Sequence, residues 1–239
     1  MMSLYNLLYD ESCHEEMVEE GILWSFAAIC KSSSNIPHDI STLDVELSRM
    51  CSTTFCNLSC SFSAPFLSSM ASVKSLLMQT LSSDKVTKMN SSQALFNILT
   101  KISEETIEIA ELSVKYLKEL SYGFPDSDSD SESSHQLKIV NILSFCIVSQ
   151  FPACRSAIRN LSCLNKIDFS VARQDNEIAY AYAATVCNMS KDPECLVCVM
   201  DDVILSALIQ LCLSTEERTV TIVAKTLYNC TTDVSYIER

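Results

Sequence analysis

Apolar and polar positions alternate along this chain with the period of helices. Val220, Val223, Ala224 and Leu227 fall at i, i+3, i+4 and i+7, one apolar stripe along a helix. Just upstream, Val203 to Leu213 is apolar on nearly every side, the profile of a helix buried between neighbours. Asp192-Pro193-Glu194 reads as an N-cap, a proline at the first helical position and an acid in the first turn, opening a short helix to about Met200. Asp201-Asp202 then turns the chain, and Ser214 with Glu217 fits a capping box. The pattern predicts a short helix, a buried helix and an amphipathic helix that closes at Tyr228-Asn229-Cys230-Thr231.

That closing motif recurs. Phe55-Cys56-Asn57-Leu58-Ser59, Leu95-Phe96-Asn97-Ile98-Leu99, Ile139-Val140-Asn141-Ile142-Leu143 and Val186-Cys187-Asn188-Met189-Ser190 share the apolar pair, the asparagine and a following apolar residue. The asparagines from Asn57 to Asn229 are spaced 40, 44, 47 and 41 residues apart, and Leu4-Tyr5-Asn6-Leu7-Leu8 opens the chain with a sixth copy. Near the start, Ser12 with Glu15 fits another capping box. A short helix to Glu19, a turn at Gly21, a second helix Ile22 to Lys31 and a third from about Thr42 to Leu58 follow. A helix triplet repeating at about 40–47 residues, with asparagine ending the third helix, resembles the armadillo repeat over nearly the whole chain. The resemblance implies an all-α, right-handed α-solenoid of about five armadillo-like repeats, at about residues 10–60, 61–101, 102–148, 149–190 and 191–232. Neither end reads as a polar cap, so end-to-end docking on neighbouring chains or on further repeats is expected.

Composition narrows the picture. Only 2 of 239 residues are glycine, where average usage gives roughly 17. Glycine-rich phosphate turns and β-hairpins are therefore excluded. The net charge of −13, with 17 basic residues against 30 acidic ones, argues against nucleic acid and anionic membrane surfaces as partners. It favours other proteins with basic patches. Apolar runs reach about 11 residues, short of the roughly 20 that span a bilayer. No basic-then-apolar leader opens the chain, so the 13 cysteines read as reduced, mostly buried thiols of a cytoplasmic protein.

Candidate chemistry is sparse. The resemblance implies that third helices line a concave surface, on which Asn57, Asn97, Asn141, Asn188 and Asn229 offer both a donor and an acceptor to an extended partner backbone. The alternative is that these amides satisfy groups between repeats. The import adaptors of the family place tryptophan four residues before the asparagine. Thr53, Gln93, Leu137, Ala184 and Lys225 stand there instead, so a basic localisation peptide finds no stacking shelf. Lys225 alone resembles the basic groove of the catenin-like members. The run Asp126 to Ser134 reads as part of a mobile acidic insert at 125–134, where Ser127 and Ser129 each precede an acid by three residues and resemble kinase sites. Read as a calcium loop, it has Ser131 where glycine is needed and Leu137 where glutamate is needed. Cys195-Leu196-Val197-Cys198 lacks the second pair of a zinc site. His14, His38 and His135 fit no catalytic ordering. The expectation is a non-enzymatic scaffold or adaptor without a cofactor, set in the cytoplasm with a cytoskeletal or ciliary assembly as the first guess. A soluble regulator, such as a transport adaptor or chaperone cofactor, is the alternative.

Overall fold

The computed structural model describes residues 13–22, 25, 28, 42–61, 70–121, 132–173 and 175–232. Among them there are helices and turns and no strand, as a 3.6-residue periodicity requires. None of these helices is long and apolar enough to cross a membrane. The opening Asn6 copy, Trp24, most of the expected helix Ile22 to Lys31, and Ser127 and Ser129 of the insert lie outside the described residues. The chain divides into two compact units, residues 1–109 and 110–239.

The first unit holds α1 (His14–Glu19), α2 (Thr42–Ser61), α3 (Met70–Gln79) and α4 (Lys85–Leu99). Helices α2 and α4 pack along each other, and α3 packs on both. Phe55, Leu58, Leu76, Leu77, Leu95 and Ile98 are wholly buried between them. Each such side chain stabilises the fold by roughly 1.5–3 kcal/mol on transfer from water. Gly21, just beyond α1, has a φ of 80°, a left-handed conformation that glycine adopts without a steric penalty.

The second unit takes α5 (Ile107–Leu120) from Ala110 onward and contains α6 (Glu132–Val148), α7 (Pro152–Asn160), α8 (Asn176–Ser190), α9 (Leu196–Val199), α10 (Asp202–Leu211) and α11 (Glu217–Thr232). Helix α8 packs against both α6 and α11, and Phe145, Tyr182, Val186 and Met189 fill the core. Between α7 and α8 the full second helix of a repeat gives way to two 3-10 turns, Leu164–Lys166 and Val171–Arg173. Phe169 lies beside them and packs on Tyr182 with ring centroids 5.0 Å apart.

Aspartates open helices where glycine turns are missing. Asp84 accepts from the Thr87 amide at 2.9 Å, Asp175 from Glu177 at 2.8 Å, Asp192 from Glu194 at 3.0 Å and Asp201 from Val203 at 2.9 Å. Each satisfies an orphan N–H of a helix start. At the end of α7, Ser162 takes the left-handed conformation itself, with φ 52°. Its amide donates to Arg159 at 2.9 Å, and the Cys163 amide donates to Ile158 at 3.0 Å. These are the two bonds of a Schellman close, here made without glycine.

Two local expectations need correction. The insert is shorter than the run to Ser134: Glu132, Ser133 and Ser134 form the first turn of α6, and Ser134 is buried. Ser134 is small enough to pack there, so the acidic character of the segment did not carry through to its end. Ser214 does not pair with Glu217. Its hydroxyl accepts from the Glu216 amide at 3.1 Å, and α11 starts one residue later.

Candidate functional site on the third-helix faces

Helices α2, α4, α6, α8 and α11 are the third helices of successive repeats. Their burial fixes the register. Residues 51–60, 91–100 and 141–150 follow one identical order of buried, half-buried and exposed positions, and residues 182–191 follow it with one change. Phe55, Leu95, Phe145 and Val186 are the matching fully buried residues. Four of the helices carry a hydroxyl one position earlier. Thr54, Ser144, Thr185 and Thr226 each donate to the carbonyl four residues back, at 2.7–2.9 Å. That bond satisfies a buried hydroxyl without a partner on another helix.

In this register Asn57, Asn97, Asn188 and Asn229 are equivalent and half-buried, and the fifth position belongs to Ile147. Asn141 is not a member of the set. It is buried, and its amide donates to Ser121 Oγ at 2.9 Å. It sits six residues before Ile147, and at 3.6 residues per turn that rotates it by roughly a third of a turn off the shared face. The position four residues before the asparagine is likewise held by Leu143, not Leu137. The true match to Phe55-Cys56-Asn57-Leu58-Ser59 is Phe145-Cys146-Ile147-Val148-Ser149. The signal was present: the cysteine and serine of the motif, not the asparagine, mark this repeat.

The asparagines form a ladder between repeats. Asn97 Nδ2 donates to Ser59 Oγ at 3.0 Å, Asn188 Nδ2 to Ser149 Oγ at 3.1 Å, and Asn229 Nδ2 to Ser190 Oγ at 2.9 Å. Each serine passes the bond on to a carbonyl within its own helix: Ser59 to Cys56, Ser149 to Cys146 and Ser190 to Cys187, at 2.8–3.0 Å. One N–H of each amide is therefore committed to the stack. Cys56 and Cys146 sit on this face as apolar floor, and burial pushes both thiols up to about 11.

The two units differ in what surrounds the ladder. In the first, Asn97 Nδ2 also lies 3.2 Å from Cys60 Sγ, and its Oδ1 accepts from Gln93 at 3.1 Å. Asn90 donates to Thr53 at 2.9 Å. Arg49 of α2 grips Asp84, the N-cap of α4, through contacts of 2.6–3.1 Å. Its guanidinium, helped by the Thr87 amide and against the effect of burial, holds the Asp84 carboxyl down to about 2.

In the second unit the same face opens into a depression of about 410 Å³ between α6, α8 and α11. Cys146, Ala184, Cys187 and Ile222 make its apolar part. Gln150, Tyr180, Asn188, Lys191 and Lys225 make its polar part, and no carboxylate lines it. Lys191 Nζ donates to Asn188 Oδ1 at 2.7 Å, a neutral acceptor that leaves its charge uncompensated. Arg218 meets Glu177 at 3.1 Å and Glu216 at 3.6 Å. Its guanidinium lies 4.3 Å over the Tyr180 ring. Lys225 was expected on this surface. Lys191, Gln150 and Tyr180 were missed, although Lys191 lies one helical turn past Asn188 and could have been found by that spacing.

No family model matches the chain, and no curated protein matches it significantly. Solved structures do. A designed armadillo repeat protein in complex with the peptide (KR)4 superimposes with a TM-score of 0.69 at 13% identity, over 96% of this chain and 90% of that one. Two engineered proteins superimpose with TM-scores of 0.68 at 13% and 15% identity, over 95% of this chain and 90% and 88% of theirs. With the helix triplets, the asparagine ladder and these superpositions together, the chain has the fold of an all-α solenoid of armadillo-like repeats.

Proposed function

We propose that this protein is a non-catalytic scaffold or adaptor that binds an extended segment of a partner protein along its third-helix faces. The observation that carries this reading is the depression between α6, α8 and α11, with Asn188, Gln150 and Tyr180 as polar contacts over an apolar floor. The peptide complex of the designed neighbour supports it. Asn57, Asn97, Asn188 and Asn229 are the proposed amide contacts, with Lys225 beside them; Asn141 is buried and is left out. The chain-wide charge of −13 supports a partner with basic patches outside the depression, and no nucleic acid or membrane.

A second surface is proposed for docking of a further helical layer. Leu227 and Tyr228 are exposed, whereas Val186 and Cys187, at the same repeat positions of α8, are buried. A cytoplasmic setting in a cytoskeletal or ciliary assembly, or alternatively a role as transport adaptor or chaperone cofactor, and phosphorylation at Ser127 and Ser129, rest on the sequence alone. Selecting binders from a random peptide library, then mapping amide-exchange protection, tests the main reading. Protection should fall on α6, α8 and α11. Protection confined to α7 and α10, or no peptide binder at all, would overturn it.

A further inference from the structure

Helix α11 exposes the face that helix α8 buries. In the shared register Val220, Ala224, Leu227, Tyr228 and Thr231 stand where α8 has Ala179, Ala183, Val186, Cys187 and Ser190. Those five α8 residues are all buried, and α11 packs against α8. On α11 Val220 is half-buried, and the other four are exposed, Tyr228 to 67%. Helix α10 packs on α11. Ile209, on its outer side, and Leu213, just past its end, are exposed to 65% and 83%. Large apolar side chains left in water are the usual mark of an interaction surface.

The spacing along α11 reads the same in both directions. Val220 and Tyr228 lie four residues either side of Ala224, and Glu217 and Thr231 lie seven. A two-fold axis beside Ala224 lays such a stripe onto itself. We propose that this face is covered by a second copy of the chain, in a dimer whose two α11 helices pack antiparallel across Ala224. The inference rests on the second docking surface proposed above and names its occupant. Alanine at the centre lets the helices approach to the close end of the roughly 8–10 Å range. Val220 then meets Leu227 of the second copy, with Ile209 and Leu213 alongside. At 1.5 Å per residue Glu217 lies about 10 Å from the centre. Its carboxylate comes within reach of Tyr228 of the second copy and accepts from that phenol. Each contact occurs twice, as two-fold symmetry requires. Lys225 lines the depression instead, so closing the interface buries no unpaired charge. Tyrosine favours this occupant over a further parallel repeat. It replaces the small Cys187 of the stacked face, and its hydroxyl needs a polar partner when covered. An antiparallel copy supplies one in Glu217.

The test is sedimentation equilibrium of the full chain, with Leu227→Glu and Ala224→Cys variants. Wild type should approach twice the chain mass, with a dissociation constant on the order of 10 µM, and its melting temperature should rise with protein concentration. Leu227→Glu should weaken association at least about tenfold. Its melting temperature should equal that of wild type at concentrations where both are monomers. Mild oxidation of Ala224→Cys should link the two 224 positions, identified by mass spectrometry of the joined peptides. A mass that keeps climbing past the dimer, a dimer that Leu227→Glu leaves intact, or no 224-to-224 link would overturn the proposal. If the chain stays monomeric while an armadillo-type repeat fused behind α11 raises its melting temperature, the second-copy proposal falls and the docking-surface reading stands. If the fusion brings no gain either, both fall.

Discussion

The third-helix face of residues 1–109 is closed upon itself, and that of residues 110–239 is not. Both carry the same Asn-to-Ser ladder. In the first, Gln93 caps the free oxygen of Asn97, Asn90 engages Thr53, and Arg49 is occupied by Asp84. In the second, Ala184 replaces Gln93, Lys225 replaces Thr53, and Lys191 extends over Asn188. The ladder builds the stack in both units, and the residues one turn away on the same face decide whether that stack can also receive a ligand. Scaffold and specificity are thus written in different positions of one motif.

The comparison can be broken by substitution. The largest effects belong to the matched core residues. Phe55→Ala and Phe145→Ala should each cost about 3–5 kcal/mol, seen as lower denaturation midpoints. Amide-exchange protection should drop first in the unit that carries the substitution; equal loss in both units would show that they are energetically one body. Next comes Asp84. Asp84→Ala removes the acceptor of the Thr87 amide and the partner of Arg49, and the cap alone contributes about 1 kcal/mol. Because the folded carboxyl is held at about 2, below its unfolded range near 4, its stabilisation is complete above about pH 4 and disappears as the pH falls toward 2. The difference in melting temperature between wild type and variant should shrink over that window, and a constant difference would leave the cap as the sole cause.

A smaller pair separates building from binding. Asn97→Ala should lower stability by about 1 kcal/mol through the lost ladder bond and weaken peptide binding less than Asn188→Ala does, because Gln93 already occupies the Asn97 oxygen. Lys225→Ala should leave stability within about 0.5 kcal/mol and weaken peptide binding at the depression it lines. The smallest effect contrasts the two left-handed turns. Gly21 occupies its φ of 80° freely, whereas Ser162 is strained at 52°. Ser162→Gly should raise stability by about 0.5–1 kcal/mol in a thermal scan, with no change in binding.

The helix triplets, the forty-residue period and the face carrying Asn188, Asn229 and Lys225 were legible because periodicity and caps are local properties. The third of the five repeat positions, at Ile147, was not. Ile139-Val140-Asn141-Ile142-Leu143 satisfies the apolar-Asn-apolar pattern six residues too early, and only burial tells it from Phe145-Cys146-Ile147-Val148-Ser149. Corrected, the spacings from Asn57 become 40, 50, 41 and 41. The drift in repeat length then collapses into one long unit, the one that holds the acidic insert. The depression was invisible for a different reason. Lys191 and Lys225 stand 34 residues apart in sequence and become neighbours only through the packing of α8 on α11. The pairing of Arg218 with Glu177, 41 residues away, is likewise a tertiary fact.

The packing that hides the cysteines also governs their chemistry. Cys154 and Cys163 are wholly buried and pushed up to about 12, with Cys195 at about 11 beside them. At neutral pH only about one in 10⁴ to 10⁵ of these groups is the nucleophilic thiolate. Alkylating reagents and oxidants therefore reach them on the clock of unfolding, so their labelling rate in the native protein is a built-in gauge of how often the interior of residues 110–239 opens.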